Sequence, residues 1–570
     1  MRYFALATDY DGTLATDGAV RPEALAALRK ARDAGRRLIL VTGRVWPELQ
    51  AIFPEYRVFH RIVAENGALL IDPETGEQTL LGATPPAAFV ERLREEGVEP
   101  LSIGRVIVAT WEPQQHVVLG AIHDLGLELQ VIFNKGAVMV LPSGVNKASG
   151  LVAALAQLGI SRHNCIGVGD AENDHALLDQ CGLGVAVANA IPMLRDRADF
   201  TTLGERGAGV IELVEEWLES DLAGRACRHG HTHVTLGHRD DGEAFGVPAR
   251  GARLLVCGPS GSGKSSLTSA LLEQLTEAEY QYCLIDPEGD FQLASGRVVM
   301  GDAEHRPDPA EIVQALAVTP ANVVVNLLGV PLEERATFAN RLLKQLATNQ
   351  ELYGRPHWVV IDEAHHMLAH DMDVRASELH AESTSWALVT VHPSHLHASE
   401  LALVNAVAVV GSTPGAMLEE LGTVADFAIP PWKDGPAQPG QIVVWSRQSP
   451  AELTTLSALE SRQERRRHQR KYAVGELGPD KSFYFRGPSG ALNLRAHNLA
   501  LFLQMADGVD PETWSFHLER NDYSTWLREA VKDADLADEV FEIETQPVPE
   551  PDISRALVRK AIDRRYTLPA

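Results

Sequence analysis

The chain has 570 residues, is 45% hydrophobic and 22% charged, and carries a formal net charge of -26. That length is too great for one ordinary core and predicts three or four domains of soluble globular type. The acidity disfavours a broad surface for nucleic acid backbone, although one basic channel stays open, and no uninterrupted apolar run is long enough for a bilayer-spanning helix.

In chain order, strand–helix alternation begins at once. Tyr3–Thr8 reads as a strand, Pro22–Ala34 as a helix, and Arg37–Thr42 and Arg61–Ala64 as strands. The pattern resumes with a helix at Lys147–Leu158, a strand at Asn164–Gly169 and a helix at Asp174–Gln180. Such alternation predicts a doubly wound parallel sheet over 1–80 and 143–220. Between these parts, 81–142 reads as two helix-plus-hairpin units. Pro86–Glu96 and Gln115–Leu125 are helical, Leu101–Thr110 is strand-like, and Glu128–Leu141 turns at Asn134-Lys135-Gly136. This is a small α+β cap over the carboxyl ends of the sheet. Residues 221–250 read as a linker with a short hairpin, 251–448 as a second α/β domain, 449–474 as a basic helical linker, and 475–570 as a small, mainly helical accessory domain.

Asp9-Tyr10-Asp11-Gly12-Thr13 closes the first strand, so Asp9 sits where open α/β sheets bind ligands. One carboxylate can attack phosphorus while the other shuttles the leaving-group proton. Thr42, in Thr42-Gly43-Arg44, ends the next strand and offers a hydroxyl. Lys147 opens a helix and can offset transition-state charge. Asp170 and Asp174, in Gly169-Asp170-Ala171-Glu172-Asn173-Asp174, supply hard oxygen ligands of the kind Mg2+ prefers.

These four elements, in this order, resemble the haloacid dehalogenase (HAD) superfamily of phosphatases, and the likeness covers about 1–215. Glu65-Asn66-Gly67-Ala68 and the insert resemble its subclass IIB, whose small-substrate members include sugar-phosphate and phosphoglycolate phosphatases. The resemblance implies that Asp9 is the nucleophile, forming an aspartyl phosphate, and that Asp11 is the acid/base. It implies that Thr42 and Lys147 hold the phosphoryl group, with Gly43, Arg44, Asn66 and Asn173 also at the substrate. Mg2+ would be bound by Asp9, the Asp11 backbone carbonyl and Asp170, supported by Asp174.

A second phosphate motif closes the strand Leu254-Leu255-Val256-Cys257. Gly258-Pro259-Ser260-Gly261-Ser262-Gly263-Lys264-Ser265 fits the P-loop spacing, and Ser265-Ser266-Leu267 begins a helix. Backbone amides would cradle the phosphates of ATP, with Lys264 on the β- and γ-phosphates and Ser265 on Mg2+. The strand at His357–Ile361 ends in Asp362, which can orient the magnesium shell, and Glu363, which can activate water. With Asp286-Pro287-Glu288 and Val389-Thr390-Val391-His392, this region (about 230–425) resembles P-loop ATPases of the HerA–FtsK type. It departs from them in having Val391-His392 where a glutamine commonly follows the threonine. Arg335, Arg341 and Arg375 are read as ordinary solvated arginines that could also serve as fingers.

Weaker signals complete the chain. Cys227, His229, His231 and His233 share one face of a strand and read as unliganded linker residues. His365 and His366 read as packing or polar contacts. Arg462–Arg470 is one dense basic patch, read as an intramolecular contact with an acidic face. Phe483, Tyr484, Phe485, Trp514, Phe516, Tyr523 and Trp526 read as core. Five scattered cysteines suit a reducing cytoplasm, and the opening MRYFALATDYDG reads as a strand rather than a signal peptide.

The function expected is Mg2+-dependent hydrolysis of a small phosphorylated metabolite, in a chain fused to an ATP-binding and ATP-hydrolysing P-loop domain. Alternatives are a nucleic-acid-processing ATPase with an end-cleaning phosphatase, and a bifunctional kinase–phosphatase. A homo-oligomer fits the P-loop reading, and no membrane partner is expected.

Overall fold

Ala5–Asp9 is the hub of the first sheet because all five of its residues are buried, on both faces. The computed structural model describes residues 2–225, 233–291, 296–368, 384–424, 429–433, 435–462, 477, 482–490, 492–531, 533–545 and 550–566. They fall into two units, 1–459 and 460–570.

In the first unit the opening strands are β1 (Ala5–Asp9), β2 (Arg37–Val41), β3 (Arg61–Ala64), β4 (Leu69–Ile71) and β5 (Gln78–Leu80). An insert contributes β6 (Ser102–Ile103), β7 (Val108–Trp111), β8 (Leu129–Asn134) and β9 (Ala137–Pro142), and the first sheet then resumes with β10 (Cys165–Gly169), β11 (Leu183–Ala186) and β12 (Phe200–Thr201). The first sheet has the order β12-β11-β10-β1-β2-β3-β4-β5. It is parallel from β12 to β3, and β4 and β5 add an antiparallel edge. β1 thus lies between β2 and β10, which brings three motif-bearing strand ends side by side.

The insert is a four-stranded antiparallel sheet, β6-β7-β9-β8. Alternation gives it two faces. Val108 and Val140 pack under the helices Ala87–Glu95 and Gln115–Asp124 with Phe89, Leu93 and Val118. Met139 and Leu141 pack the other way, with Ala68 and Val145 of the core. The stretch expected as one strand-like run over 101–110 is split into β6 and β7 by the turn at Gly104-Arg105.

The second sheet comprises β13 (His233–His238), β14 (Ala244–Pro248), β15 (Arg253–Cys257), β16 (Tyr282–Asp286), β17 (Arg297–Met300), β18 (Asn322–Asn326), β19 (Trp358–Ile361), β20 (Ser385–Thr390), β21 (Ala406–Val410), β22 (Gln441–Ser446) and β23 (Leu453–Ala458). Its order is β14-β13-β23-β22-β21-β15-β20-β19-β16-β18-β17, parallel from β21 to β17. The P-loop strand β15 is separated from β19 by β20. One expectation is corrected here: residues 450–470, read as helix, hold the strand β23, which pairs antiparallel with β22 along its length and touches β13. The β-branched Thr454 and Thr455 suit that sheet position, and the charge-rich pattern that suggested a helix begins after it, mostly outside the described residues.

The two sheets of the first unit meet through their amino ends. The loop before β10 faces the loops before β16 and β19. His163 stacks on Tyr280 at 3.8 Å between ring centroids, and its Nε2 lies 2.8 Å from the Ala278 carbonyl oxygen. Arg355 donates to the Gly159 carbonyl at 3.0 Å, and His357 Nε2 lies 3.1 Å from Asn164 Oδ1. Both sets of carboxyl ends therefore lie on the sides away from this contact.

The second unit has a hairpin of β24 (Phe483–Phe485) and β25 (Leu494–Ala496) with helices from Leu499 onward, including Pro511–Glu519 and Asp522–Trp526. Phe483, Phe485, Phe502, Trp514, Tyr523 and Trp526 form its core, with Trp514 stacked on Tyr523 at 4.4 Å. Asn521 takes the left-handed turn between the two helices at φ 57°. Among the described residues no helix is long and apolar enough to cross a membrane.

Candidate functional site

At the carboxyl end of the first sheet, β1 delivers Asp9, the residue after β2 is Thr42, and the residue after β10 is Asp170. Lys147 is the first residue of the helix Lys147–Leu158, whose start is held by a reciprocal cap between Asn146 and Ser149. The cap fixes where the lysine leaves the backbone. Its Nζ donates to Asp9 Oδ1 at 2.5 Å and to Asp174 Oδ1 at 2.6 Å. Asp174 Oδ2 accepts from the Asp170 and Ala171 amides at 2.9 and 3.0 Å, so that carboxylate is fully engaged. Asp9 Oδ2 takes no hydrogen bond among the described residues.

Asp9, Asp170 and Asp174 are buried and each offers one oxygen within 4.8 Å of the others. Carboxylates gathered this closely repel, and burial adds to the cost of their charge. Burial, outweighing the attraction of Lys147, pushes Asp9 up to about 8. Burial also raises Asp170, against the pull of Lys135. For Lys147, burial works downward, but Asp174 and Asp9 together hold its ammonium above the ordinary lysine value. An all-oxygen set with this excess of negative charge fits a hard divalent cation such as Mg2+.

The remaining expected residues lie around this centre. Asp11 does not join the acidic group: both its oxygens are held by the Arg44 guanidinium, at 2.7 Å each. Thr42 is fully buried, and its Oγ1 accepts the Arg44 amide at 3.2 Å. Asn173 Nδ2 donates to Asn66 Oδ1 at 3.0 Å, leaving Asn66 Nδ2 and Asn173 Oδ1 buried with no partner among the described residues. A Cβ on Gly43 would meet Met139 Sδ of the insert at 3.5 Å, so the insert lies over this turn.

Sequence reasoning missed three contributors. Glu65 is fully buried and accepts the amides of Arg105, Val106 and Ile107 at 2.9, 2.8 and 3.1 Å, latching the insert to the core. Its backbone and that of Asn66 both sit at φ 54°. Thr13 Oγ1 donates to Asp170 Oδ1 at 3.0 Å, and Lys135 of the insert donates to Asp170 Oδ2 at 2.6 Å. Thr13 stands in the Asp9–Thr13 motif, but the sequence reading gives it no role. Glu65 and Lys135 make contacts that no local spacing encodes.

The second site is built on β15 and the helix Lys264–Glu277. Gly258 at φ 155°, Gly261 at φ 75° and Gly263 at φ 103° shape the loop, and a Cβ on Gly258 would lie 2.0 Å from the Val410 carbonyl oxygen. Lys264 is buried within the loop, donating to the Gly258 and Pro259 carbonyls at 3.0 and 2.9 Å. Ser262 Oγ is buried with no partner among the described residues, and Ser260 lies exposed at the loop tip. Ser265 and Ser266 follow in the first helical turn, half-buried. Burial, with Asp286 and Glu363 beside it, pushes Asp362 up to about 8. Burial lowers Lys264 against the attraction of Glu363 and Asp362. A cation would relieve Asp362, and an anionic phosphate would relieve Lys264. Glu363 takes a left-handed backbone at φ 44°, its Oε2 3.4 Å from His365 Nδ1, which in turn lies 3.1 Å from Thr390 Oγ1.

Several weaker expectations are placed as well. Arg335 donates to the Val330 and Leu327 carbonyls, and Arg341 is exposed. Arg375, Cys227, His229, His231 and most of 462–470 lie outside the described residues, while His233 begins β13 and is exposed.

The sequence pattern of the haloacid dehalogenase-like hydrolases matches residues 6–95 and 123–214, and that of an AAA domain matches 250–396. A phosphoglycolate phosphatase of Methanothermobacter thermautotrophicus is 32% identical over 224 residues, covering 38% of this chain and 98% of that protein. One from Methanobrevibacter smithii is 29% identical over 234 residues, 38% of this chain and all of that protein. A haloacid dehalogenase-like hydrolase of Bacteroides thetaiotaomicron, solved as a crystal structure, covers 38% of this chain and 99% of its own at 20% identity and a TM-score of 0.33. Through its N-terminal part the chain belongs to the haloacid dehalogenase-like hydrolases, as an enzyme of phosphoric monoester hydrolase type, and it continues into a P-loop domain of AAA type.

Proposed function

We propose that the first site hydrolyses a small phosphate monoester, of the phosphoglycolate or sugar-phosphate class, by way of an aspartyl phosphate on Asp9. The observation that carries this is the meeting of Asp9, Asp170 and Asp174 with the Lys147 ammonium at the mouth of the sheet. Asp9 keeps one oxygen without a hydrogen bond, and that oxygen attacks phosphorus. Asp11 gives a proton to the departing alcohol oxygen, then takes one from the water that cleaves the acyl phosphate, which returns Asp9 as a carboxylate. For this the Arg44 fork must release one Asp11 oxygen. Thr42 and Lys147 hold the phosphoryl oxygens, and Lys147 offsets the charge that builds on them. Asp9, the Asp11 carbonyl and Asp170 would hold Mg2+, positioned by Asp174; the ion supplies further charge stabilisation. The insert excludes water while the phosphoryl group moves.

The P-loop domain is proposed to bind ATP through the 258–265 loop and to hydrolyse it, Asp362 orienting the magnesium shell and Glu363 the water. Separate variants test the two halves. Asp9→Asn is expected to lose p-nitrophenyl phosphate turnover by at least about a thousandfold while keeping ATPase activity. Lys264→Ala is expected to lose ATPase activity and keep the phosphatase. Full phosphatase activity in Asp9→Asn removes the nucleophile from the scheme.

A further inference from the structure

The tip of the insert's hairpin carries a residue whose placement is costly. β8 and β9 are joined by two residues, since Asn134 pairs with Ala137. Lys135 and Gly136 both take positive φ, 48° and 84°. This is the geometry of a tight primed turn, in which the first position favours Asn, Asp or Gly. A lysine there costs roughly 1 kcal/mol of backbone strain. Strain of this kind persists where the side chain is needed.

The side chain has a destination. Lys135 Nζ reaches Asp170 Oδ2 at 2.6 Å, yet the residue keeps 45% of its side chain exposed. It spans from the buried acidic centre to the open mouth. The core leaves room for it: a Cβ on Gly12, itself at φ 87°, would fall 2.8 Å from that Nζ and 2.4 Å from Asp170 Oδ2. Asn134 stands next to it, on the same strand face as Ile132, which packs toward the core, and its Oδ1 is buried with no partner among the described residues.

Within the proposed scheme the other charged groups of the acidic centre have tasks at the phosphoryl end, while Asp11, held by Arg44, serves the departing alcohol oxygen. Lys147 and Thr42 serve the phosphoryl oxygens, and Asp9, Asp170 and Asp174 serve the cation. Lys135 arrives from the insert, and the proposed scheme puts the departing alcohol on that side. When a divalent cation takes up the charge of Asp170, the Lys135 ammonium loses its counter-charge and stands beside a like charge. An anionic group on the substrate restores the balance.

We infer that Lys135 is a specificity-determining residue whose ammonium receives a carboxylate on the alcohol side of the substrate, so that the preferred esters are phosphorylated hydroxy acids. This rests on the phosphatase reading above.

The test compares 2-phosphoglycolate, which carries the carboxylate, with p-nitrophenyl phosphate, which does not, in wild type, Lys135→Met and Lys135→Arg. Lys135→Met is expected to raise KM for 2-phosphoglycolate about tenfold or more, and to lower its kcat/KM at least about tenfold further than that for p-nitrophenyl phosphate. Lys135→Arg restores most of the loss. Calorimetry in the Asp9→Asn background supplies a readout independent of turnover: adding Lys135→Met weakens 2-phosphoglycolate about tenfold and leaves inorganic phosphate unchanged. Equal losses for both esters, or wild-type protein that turns over p-nitrophenyl phosphate but not 2-phosphoglycolate, overturn the inference and leave the phosphatase reading standing. Wild-type protein that turns over neither ester overturns the phosphatase reading itself.

Discussion

His357 shows how one side chain ties stability to pH. It lies in the loop before β19, buried, and burial together with His163, Arg250 and Arg355 holds its imidazole well below the ordinary value of 6.5. Its Nδ1 accepts the Gln281 amide at 2.9 Å, which leaves Nε2 to donate to Asn164 Oδ1, so the neutral tautomer is the one that fits. A base whose folded value is depressed is protonated first in the unfolded chain. Stability is therefore full above about pH 6.5 and falls below it, by up to about 1.4 kcal/mol for each pH unit, until the folded value is reached. Urea unfolding followed from pH 8 to 5 should show this slope, and His357→Gln should flatten it. The placement of Asp9, Thr42, Lys147 and Asp170 was legible from spacing because each stands at a strand end or helix start. Lys135, Glu65 and His357 were not, because their partners lie 35, 40 and 193 positions away.

At the scale of elements, the turn that carries Glu65, Asn66 and Gly67 joins the insert to the core. Three successive residues take positive φ, and a Cβ on Gly67 would lie 1.8 Å from the Asn146 carbonyl oxygen, directly before the Lys147 helix. Glu65 caps three amides of the β6–β7 turn, and each buried amide left without a partner costs roughly 1–3 kcal/mol. In Glu65→Ala the segment 82–142 should become the first site of limited proteolysis, at protease levels that leave wild type intact, and KM for any substrate should rise. An unchanged digestion pattern would remove the latch. Apolar alternation made the insert's helices and its β8–β9 hairpin readable. It did not reveal β23, because a six-residue strand has a weak period of its own and is specified by its pairing with β22 and β13.

For the whole first unit, the decisive feature is that the two sheets meet by their amino ends. Strand–helix alternation announces two α/β domains, but it says nothing of how their loops meet. Both phosphate-handling mouths open away from the shared boundary, so a metabolite leaving one would have to travel round both domains to reach the other. That geometry speaks against handing a phosphoryl group directly between the sites, and it is why the Asp9 and Lys264 variants are expected to separate cleanly.

The same boundary also bears on excision. Relatives of about this segment's length exist as whole proteins, yet here the floor of the hydrolase is made of Tyr280, Arg355 and His357. A fragment of residues 1–222 would bare His163, Asn164 and Phe4 to water and leave the Gly159 carbonyl without its arginine. Expressed alone, that fragment should melt at a lower temperature than the same domain within the full chain, when both are followed by p-nitrophenyl phosphate turnover. What resembles a self-sufficient enzyme has become one half of a moulded pair.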